Sequence, residues 1–402
     1  MLPHLTRSLR HRNFRLYFIG QLLSLHGTWM QSVAQAWLVY RLTDSSFMLG
    51  LVSFLNLAPV LLLGFITGAV ADRYPRFRLF WITQTLAMLQ AFTLAALTLS
   101  SHVEVVHILV LAATLGIVHA FEIPARHALL ASLVERAELP NAIALNSSLF
   151  NLARFLGPAL AGALIAAIGE GPVFVVNGVS FLTVLLALFA MRPRPAMHVR
   201  PADHGGLFAG LRFAWRQMRL RYALALVALI SLAGTPYLVL MPVFAREVFG
   251  GDAQQLGLLV GAAGFGALLA ALRLAQRREN VGLERVIVVS AVLAALGLLA
   301  FSQAVSFVFA LATLPVIGFG ITSLVAATNT FLQLAAEDSL RGRLMSLFSM
   351  VFLGFAPLGN LFAGALAQRI GAPQVVLISG LICLFGAAVL GYGLCRSVSV
   401  KT

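Results

Sequence analysis

The chain has 402 residues, of which 60% are hydrophobic and only 10% are charged. Soluble domains contain roughly 45–50% apolar and about 25% charged residues, so this composition excludes an ordinary water-soluble enzyme. The formal net charge is +14, but the bases lie in short clusters between apolar runs, which indicates membrane topology signals and no nucleic-acid partner.

Apolar runs long enough to cross a membrane recur along the whole chain. A helix needs roughly 20 apolar residues to cross about 30 Å of hydrocarbon. The predicted spans are 14–40, 47–71, 78–100, 105–131, 141–167, 172–191, 220–245, 254–276, 283–302, 305–333, 343–367 and 373–395. They predict an all-α membrane protein with twelve transmembrane helices.

Arginines divide unevenly between the two sets of loops. The basic set contains Arg7, Arg10, Arg12, Arg15, Arg73, Arg76, Arg78, Arg192, Arg194, Arg200, Arg277, Arg278, Arg341 and Arg343. The other set contains only Arg41, Arg246 and Arg369. Because basic loops stay on the cytoplasmic side, both termini are predicted to be cytoplasmic.

The first predicted span carries a stripe of polar side chains. They recur every three or four residues, the spacing of one helix face, at Gln21, Ser24, Thr28, Gln31 and Gln35. Lipid does not tolerate such a stripe. We favour the wall of a water-filled substrate cavity, and the alternative is hydrogen-bonded packing between helices.

The fourth predicted span places His119, Glu122 and Arg126 on one face, with Pro124 between the charged pair. A carboxylate inside a span is costly unless it is paired or takes up a proton. Two interpretations stay open. Either Glu122 carries protons through a transport cycle, or Glu122 and Arg126 form an i,i+4 pair that only neutralises itself.

The fifth predicted span repeats this pattern with Ser147, Asn151, Arg154 and Pro158. Arg154 keeps its charge at any working pH, so it needs an acidic partner, backbone carbonyls or an anionic substrate. Glu122 is the most available acid. Ser147 and Asn151 are predicted to line the substrate cavity.

The tenth predicted span adds Thr322, Asn329 and Gln333 to this cavity at helical spacing. Gly318 and Gly320 lie four and two residues before Thr322. Their small size predicts close packing against neighbouring helices or a bend.

An internal repeat relates the two parts of the chain. Shifting the sequence by 202 residues superposes Gly162 on Gly364 and Gly169 on Gly371, among other collinear matches. The offset is half the chain. It predicts two pseudo-symmetric six-helix bundles around a central cavity, as in one class of transporters.

The predicted domains are therefore an N-terminal half, 1–191, and a C-terminal half, 220–402, joined by a basic cytoplasmic linker, 192–219. Within the linker, apolar and basic residues from Leu207 to Met218 alternate with helical spacing. This pattern predicts an amphipathic helix on the membrane surface.

Motifs of soluble catalytic sites are missing from the sequence. It contains no phosphate-binding loop, no paired His/Cys spacing for a metal and no serine-centred elbow. We therefore expect no enzymatic activity, no cofactor and no metal site. An ion gradient or a partner subunit is the remaining source of energy.

The loop after the second predicted span reads Gly68-Ala-Val-Ala-Asp72-Arg73-Tyr-Pro75-Arg76. It resembles the motif G-x-x-x-D-R-x-G-R-R/K of the major facilitator superfamily, with Pro75 in place of a glycine. The match covers Gly68, Asp72, Arg73 and Arg76. It implies a conformational latch, in which Asp72 accepts hydrogen bonds from the N-terminus of the eleventh span. The alternative is a salt bridge within the loop, from Asp72 to Arg73 or Arg76.

The fifth span reads Arg154-Phe-Leu-Gly157-Pro158-Ala-Leu-Ala161-Gly162, which is similar to the superfamily's antiporter motif R-x-x-G-P-x-x-G-G. Ala161 replaces the first glycine of the terminal pair. Further stretches, 328–333 and 337–343, resemble the branch that contains enterobactin exporters and macrolide efflux proteins. The resemblance covers almost the whole chain. It implies a twelve-helix, proton-driven exporter of small organic molecules, of siderophore or drug-like type, in a bacterial inner membrane, and no motif of the branch identifies the cargo.

The partners that this hypothesis implies are a small organic substrate, protons and membrane lipid, and we expect a monomer. A flippase of lysophospholipid-like molecules would use the same fold. A receptor or assembly subunit without transport is a third hypothesis. It would need neither the polar stripe nor the charges in the fourth and fifth spans.

Overall fold

The computed structural model describes residues 7–192, 207–276, 282–336 and 338–399. A 3-10 turn, Arg7–Arg10, precedes the first helix. The helices are α1 (Arg12–Thr43), α2 (Ser46–Arg73), α3 (Arg76–Leu99), α4 (Val105–Leu133), α5 (Leu139–Ile168), α6 (Glu170–Ala190), α7 (Leu207–Arg216), α8 (Met218–Val248), α9 (Ala253–Ala275), α10 (Leu283–Ser302), α11 (Phe307–Ala335), α12 (Asp338–Ile370) and α13 (Ala372–Ser399).

Eleven helices in the described residues are long and apolar enough to cross a membrane. The helix α1 is a twelfth of sufficient length, with 32 residues, but its glutamines Gln21, Gln31 and Gln35 lower its mean hydropathy. The polar stripe is therefore the reason that α1 differs from the others. The predicted all-α membrane fold is confirmed.

The chain divides into two compact units. Unit 1 contains Met1–Asp44, Leu55–Pro201 and Gly251–Gly261. Unit 2 contains Ser45–Phe54, Ala202–Gly250 and Ala262–Thr402. The start of α2 thus packs in unit 2 and the start of α9 packs in unit 1, which differs from the predicted halves. The assignment of 1–191 and 220–402 as functional halves stays a prediction.

Two glycines that the repeat superposes occupy the same structural position. Gly169 separates α5 from α6 with a φ of 81°, and Gly371 separates α12 from α13 with a φ of 88°. A positive φ is costly for residues with a side chain, so glycine is favoured at both junctions. The repeat that the sequence predicts is therefore visible in the local backbone.

Close helix crossings recur at a second pair of repeat-related glycines. In unit 1, a Cβ on Gly162 of α5 would lie 2.6 Å from the carbonyl oxygen of Ala253 in α9. In unit 2, a Cβ on Gly364 of α12 would lie 2.5 Å from the carbonyl oxygen of Ser46 in α2. Neither separation leaves room for a methyl group, so both crossings need a glycine.

The predicted close packing of Gly318 and Gly320 is confirmed. A Cβ on Gly318 would overlap the carbonyl oxygen of Ala263 in α9. A Cβ on Gly320 would lie 2.6 Å from the backbone nitrogen of Ala294 in α10. The helix α11 is therefore held closely between two neighbours within unit 2.

The helix α8 is interrupted near its middle. A π turn over Ile230–Gly234 is followed by a 3-10 turn over Pro236–Leu238 and a second π turn over Phe244–Val248. Proline has no N–H to donate and its ring clashes with the preceding turn, so Pro236 and Pro242 explain the interruption. The interrupted segment packs against α12 and α13 of unit 2.

Two predicted boundaries need correction. The eleventh span was predicted to begin at residue 343, but α12 begins at Asp338, so Arg341 and Arg343 lie inside its first turns. Bases are unfavourable near a helix N-terminus, whereas Asp338 and Ser339 are good residues for starting a helix. The amphipathic helix α7 ends at Arg216, because Gln217 has an extended backbone.

Candidate transport site

An ion pair lies inside the membrane-spanning helix α4. The Nε atom of Arg126 lies 3.5 Å from a carboxylate oxygen of Glu122, one turn away. The two side chains are only 16% and 12% exposed. Of the two arginines that the sequence offers as partners for Glu122, the structure therefore places Arg126 beside it.

Two further titratable side chains belong to the same cluster. His119 and Tyr17 both interact electrostatically with Glu122 and Arg126. The hydroxyl of Tyr17 donates a hydrogen bond to Oδ1 of Asn146, at 3.2 Å. The cluster therefore joins α1, α4 and α5 in unit 1.

Sequence reasoning missed Tyr17 and Asn146. Tyr17 lies four residues before Gln21, so it extends the predicted stripe of α1 by one turn. That spacing was an available signal. No comparable signal in the sequence marks Asn146, because its neighbours on α5 do not reveal which residue of α1 it faces.

Arg154 of the predicted antiporter motif lies over an aromatic ring. Its guanidinium carbon lies 5.9 Å from the ring centroid of Trp29, in cation–π geometry. Trp29 also packs edge-on against Phe150, at 5.8 Å between centroids. A Cβ on Gly157 would lie 2.7 Å from Cβ of Trp29, so this glycine allows α5 to approach α1. Pro158 and Gly162, the rest of the motif, are buried.

The centre of the polar stripe forms a hydrogen-bonded network. Nε2 of Gln31 donates to Oε1 of Gln90, at 2.9 Å, and Nδ2 of Asn177 donates to Oε1 of Gln31, at 2.7 Å. The side chain of Ser180 in turn donates to Asn177. Gln31 is only 3% exposed. For Gln31 this geometry favours helix packing over a cavity wall.

The other members of the stripe have different surroundings. Gln21, Ser24 and Gln35 are buried within unit 1, and Thr28 is half-buried. The hydroxyl of Thr28 donates to the backbone carbonyl of Ser24, at 2.9 Å. Their role in a substrate cavity stays a prediction.

The remaining predicted cavity residues have polar atoms near the surface of their own unit. In unit 1, Nδ2 of Asn151 donates to the backbone oxygen of the exposed Ser147, at 2.8 Å. In unit 2, Nε2 of Gln333 donates to Oδ1 of Asn329, at 2.5 Å, and Thr322 is half-buried. These amides and hydroxyls can bind a polar organic solute, but they lie in separate units.

The predicted latch lies at the end of α2. Arg73 is exposed, and Arg76 is half-buried at the start of α3. No described atom lies within 4 Å of the position that a Cβ on Gly68 would occupy, so this glycine makes no close contact with the described part of another helix. Asp72 lies in the last turn of α2, and its side chain is outside the described part of the structure.

Metal-binding residues do not cluster in the described ranges. Nowhere in residues 7–192, 207–276, 282–336 and 338–399 do three or more His, Cys, Asp or Glu side chains form a group that could hold an ion.

Replacing Gln31 with leucine should lower the free energy of unfolding by about 1–2 kcal/mol. The change leaves a buried acceptor on Gln90 and a buried donor on Asn177 without a partner. Thermal unfolding in detergent measures the effect, and Ser32→Leu, at the exposed neighbouring position, is the control. An unchanged melting temperature together with weaker cargo binding would instead place Gln31 in a cavity wall.

Comparison with known proteins supports a transporter. Residues 6–398 match the protein family described as transmembrane secretion effector, which belongs to the major facilitator superfamily. The staphyloferrin A transporter of Staphylococcus aureus is 28% identical over 92% of this chain and 94% of its own length. The resemblance that the motifs indicate is therefore confirmed.

Other relatives have names from the same branch. The multidrug efflux pump Tap of Mycolicibacterium fortuitum is 28% identical over 86% of this chain and 87% of its own. The enterobactin exporter EntS of Salmonella paratyphi A is 24% identical over 95% of this chain and 91% of its own length. Among solved structures, a bacterial homologue of the lysosomal transporter Spinster matches the fold with a TM-score of 0.74 and 15% identity, over 98% of this chain and 97% of its own.

Proposed function

The chain belongs to the transmembrane secretion effector family, and on that premise we propose that it exports small organic molecules by proton antiport. As a member of this family it is a multi-pass membrane transporter and not an enzyme. The names of its relatives point to siderophores or drug-like compounds as cargo. The distribution of arginines supports an orientation with both termini cytoplasmic in a bacterial inner membrane. The direction of transport, export from the cytoplasm, is inferred from the names of the efflux and exporter relatives.

The observation that carries the proton coupling is the Glu122–Arg126 pair inside α4. An ionisable pair in a membrane span is costly, and its usual role is in an ion or proton pathway. Glu122 is the only one of the two that can release its proton at a working pH, because arginine stays charged. His119 and Tyr17 supply two more groups that could relay a proton to it.

In the proposed cycle, protonation of Glu122 weakens its attraction to Arg126 and frees the arginine for other contacts. A change in that attraction alters the relative free energy of two conformations, which is what an alternating-access cycle requires. Cargo binds on the polar faces that contain Asn151 and Asn329. We place proton coupling in α4 and cargo binding on these separate surfaces.

The test of this function is flux in reconstituted vesicles with an imposed pH gradient. Ethidium serves as a drug-like probe, and staphyloferrin A and enterobactin serve as siderophore probes. We expect at least one probe to move against its gradient when protons flow in the opposite direction. Probe movement that ignores the pH gradient, while the protein is folded and oriented, would contradict proton antiport.

Asp72 is proposed to act as a conformational latch, so Asp72→Asn should slow cycling without abolishing cargo binding. Losing one charge-assisted contact at a helix end costs on the order of 1–3 kcal/mol, which corresponds to a clear loss of turnover. Turnover and cargo affinity are measured at matched expression. Arg78→Gln, at an exposed position in the following helix, controls for a general change of charge in this region. Equal turnover by Asp72→Asn and wild type would count against a latch.

A further inference from the structure

A basic and aromatic surface lies where α7 meets α8 in unit 2. We call it the basic surface and define it by Arg212, Trp215, Arg216 and Arg221. Arg212 and Arg216 are exposed on α7, and Trp215 between them is 65% exposed. The proton pathway and the cargo-binding faces proposed above do not use any of these side chains.

The orientation of α7 is fixed by its inner face. Ala214 is only 3% exposed, and α7 packs against α8 and α12. The side chains of Arg212, Trp215 and Arg216 therefore project away from the helices that hold α7. A tryptophan this exposed is unusual for a water-soluble surface but common at a membrane–water interface.

Arg221 links the two helices of the basic surface. Its guanidinium carbon lies 5.7 Å from the ring of Trp215 and 5.7 Å from the ring of Tyr222. Stacking on aromatic faces holds the guanidinium in place and leaves its N–H groups free to donate at the edge of the plane. The cation is thus preorganised for an anion.

The surface also has an excess of positive charge. Arg219 forms an ion pair with Glu284 of α10, at 3.9 Å. Within the described residues, Arg212, Arg216 and Arg221 form no ion pair with a carboxylate. Three cations therefore remain to attract an anionic partner.

The position of the surface identifies that partner. A single extended residue, Gln217, separates α7 from α8, which then crosses the membrane. The basic surface therefore lies at the level where lipid headgroups lie. The exposed Met218 beside it supplies an apolar contact of the kind that acyl chains make.

We propose that the basic surface binds the headgroups of anionic phospholipids in the cytoplasmic leaflet. The guanidinium groups of Arg212, Arg216 and Arg221 would donate to phosphate oxygens, which match their planar donors. Trp215 would lie beside the glycerol and upper acyl region. Because α7 packs on α12, lipid bound here would also stabilise the position of α12 in unit 2.

Quenching of Trp215 fluorescence by brominated lipid tests the proposal without any transport measurement. The protein is placed in nanodiscs of phosphatidylcholine that contain a small fraction of brominated phosphatidylglycerol or, in parallel, brominated phosphatidylcholine. The emission of Trp215 is obtained as the difference between wild type and Trp215→Phe. We expect the anionic brominated lipid to quench Trp215 more strongly, since it is concentrated at the basic surface.

In the variant Arg212→Gln/Arg216→Gln this preference should be lost. The preference of Trp215's surroundings for the anionic over the zwitterionic brominated lipid should fall by roughly fivefold for each arginine removed. Arg369→Gln removes an exposed arginine at the end of α12, far along the helix from the basic surface, and should keep the preference. Equal quenching by the two brominated lipids in wild type would overturn the proposal. The proposal would also be overturned if both lipids quenched Trp215 strongly and the double substitution did not change this quenching. Trp215 would then contact acyl chains without any selection of the headgroup.

Discussion

Replacing Glu122 with glutamine should abolish proton-driven accumulation of cargo while the protein still folds and exchanges cargo. Glutamine has the shape and neutral charge of a protonated glutamate but does not ionise at a working pH. If Glu122 is the proton carrier, the variant is fixed in the protonated state. Probe flux driven by a pH gradient should then fall to the level of protein-free vesicles, whereas exchange of labelled for unlabelled probe should persist.

The stability of the same variant separates proton coupling from simple charge neutralisation. A carrier must tolerate a neutral side chain beside Arg126 in every cycle. The free energy of unfolding of Glu122→Gln should therefore fall by less than about 3 kcal/mol, the lower end of the cost of breaking a buried ion pair. A larger loss with normal flux would indicate that Glu122 only neutralises Arg126.

The double variant Glu122→Gln/Arg126→Gln completes the comparison. It removes both charges of the pair, so it should recover stability relative to either single variant but should not recover proton-driven flux. Glu135→Gln makes the same chemical change at an exposed position just after α4 and should leave flux unchanged. Normal flux and normal stability in Glu122→Gln would refute both roles.

The fold was predictable from the sequence because membrane spans are marked by length and composition alone. In the part of the chain that the structure describes, eleven helices satisfy those criteria, and the glycines at 169 and 371 mark equivalent helix junctions in both units. Boundaries were less certain. The start of α12 at Asp338 was missed because Arg341 and Arg343 resemble loop residues, although arginine is also a good helix former.

The packing partners of the polar residues could not be predicted in the same way. Helical spacing places Gln31 on a face, but nothing in one sequence indicates that Gln90 and Asn177 lie opposite it. The pair Glu122–Arg126 was predictable, because residues one turn apart on a helix are neighbours whatever surrounds them. Contacts within a helix follow from spacing, and contacts between helices require the three-dimensional structure.

The interruption of α8 could be predicted from the sequence only in part. Pro236 and Pro242 are visible in the sequence, and proline inside a helix is a known cause of a break. The predicted span 220–245 nevertheless reads as a continuous apolar run, because hydropathy does not depend on backbone geometry. The π and 3-10 turns around Pro236 show that a span can be apolar throughout and still depart from an α-helix.

Leucine in place of Gly162 should destabilise the protein strongly and stop transport. A Cβ at this position would already lie 2.6 Å from the carbonyl oxygen of Ala253, and the rest of a leucine side chain would add to that overlap. Backbone atoms cannot rotate away as a side chain can, so α5 and α9 would have to separate. We expect the free energy of unfolding to fall by about 3 kcal/mol or more. Gly162→Ala should have a smaller effect, because it adds only one methyl group.

The repeat gives this prediction a matched partner and a control. Gly364→Leu makes the same change at the equivalent crossing in unit 2, where a Cβ would lie 2.5 Å from the carbonyl oxygen of Ser46, so its loss of stability should be similar. Gly342→Leu is made in an exposed part of α12, where no described atom outside the neighbouring helix backbone lies within 4 Å of the added Cβ. Leucine should stabilise the helix there by roughly 0.5–1 kcal/mol relative to glycine. Melting temperatures in detergent measure all three variants. If Gly162→Leu melts like Gly342→Leu, the α5–α9 crossing does not require a glycine, and the antiporter motif must owe its Gly162 to something other than packing.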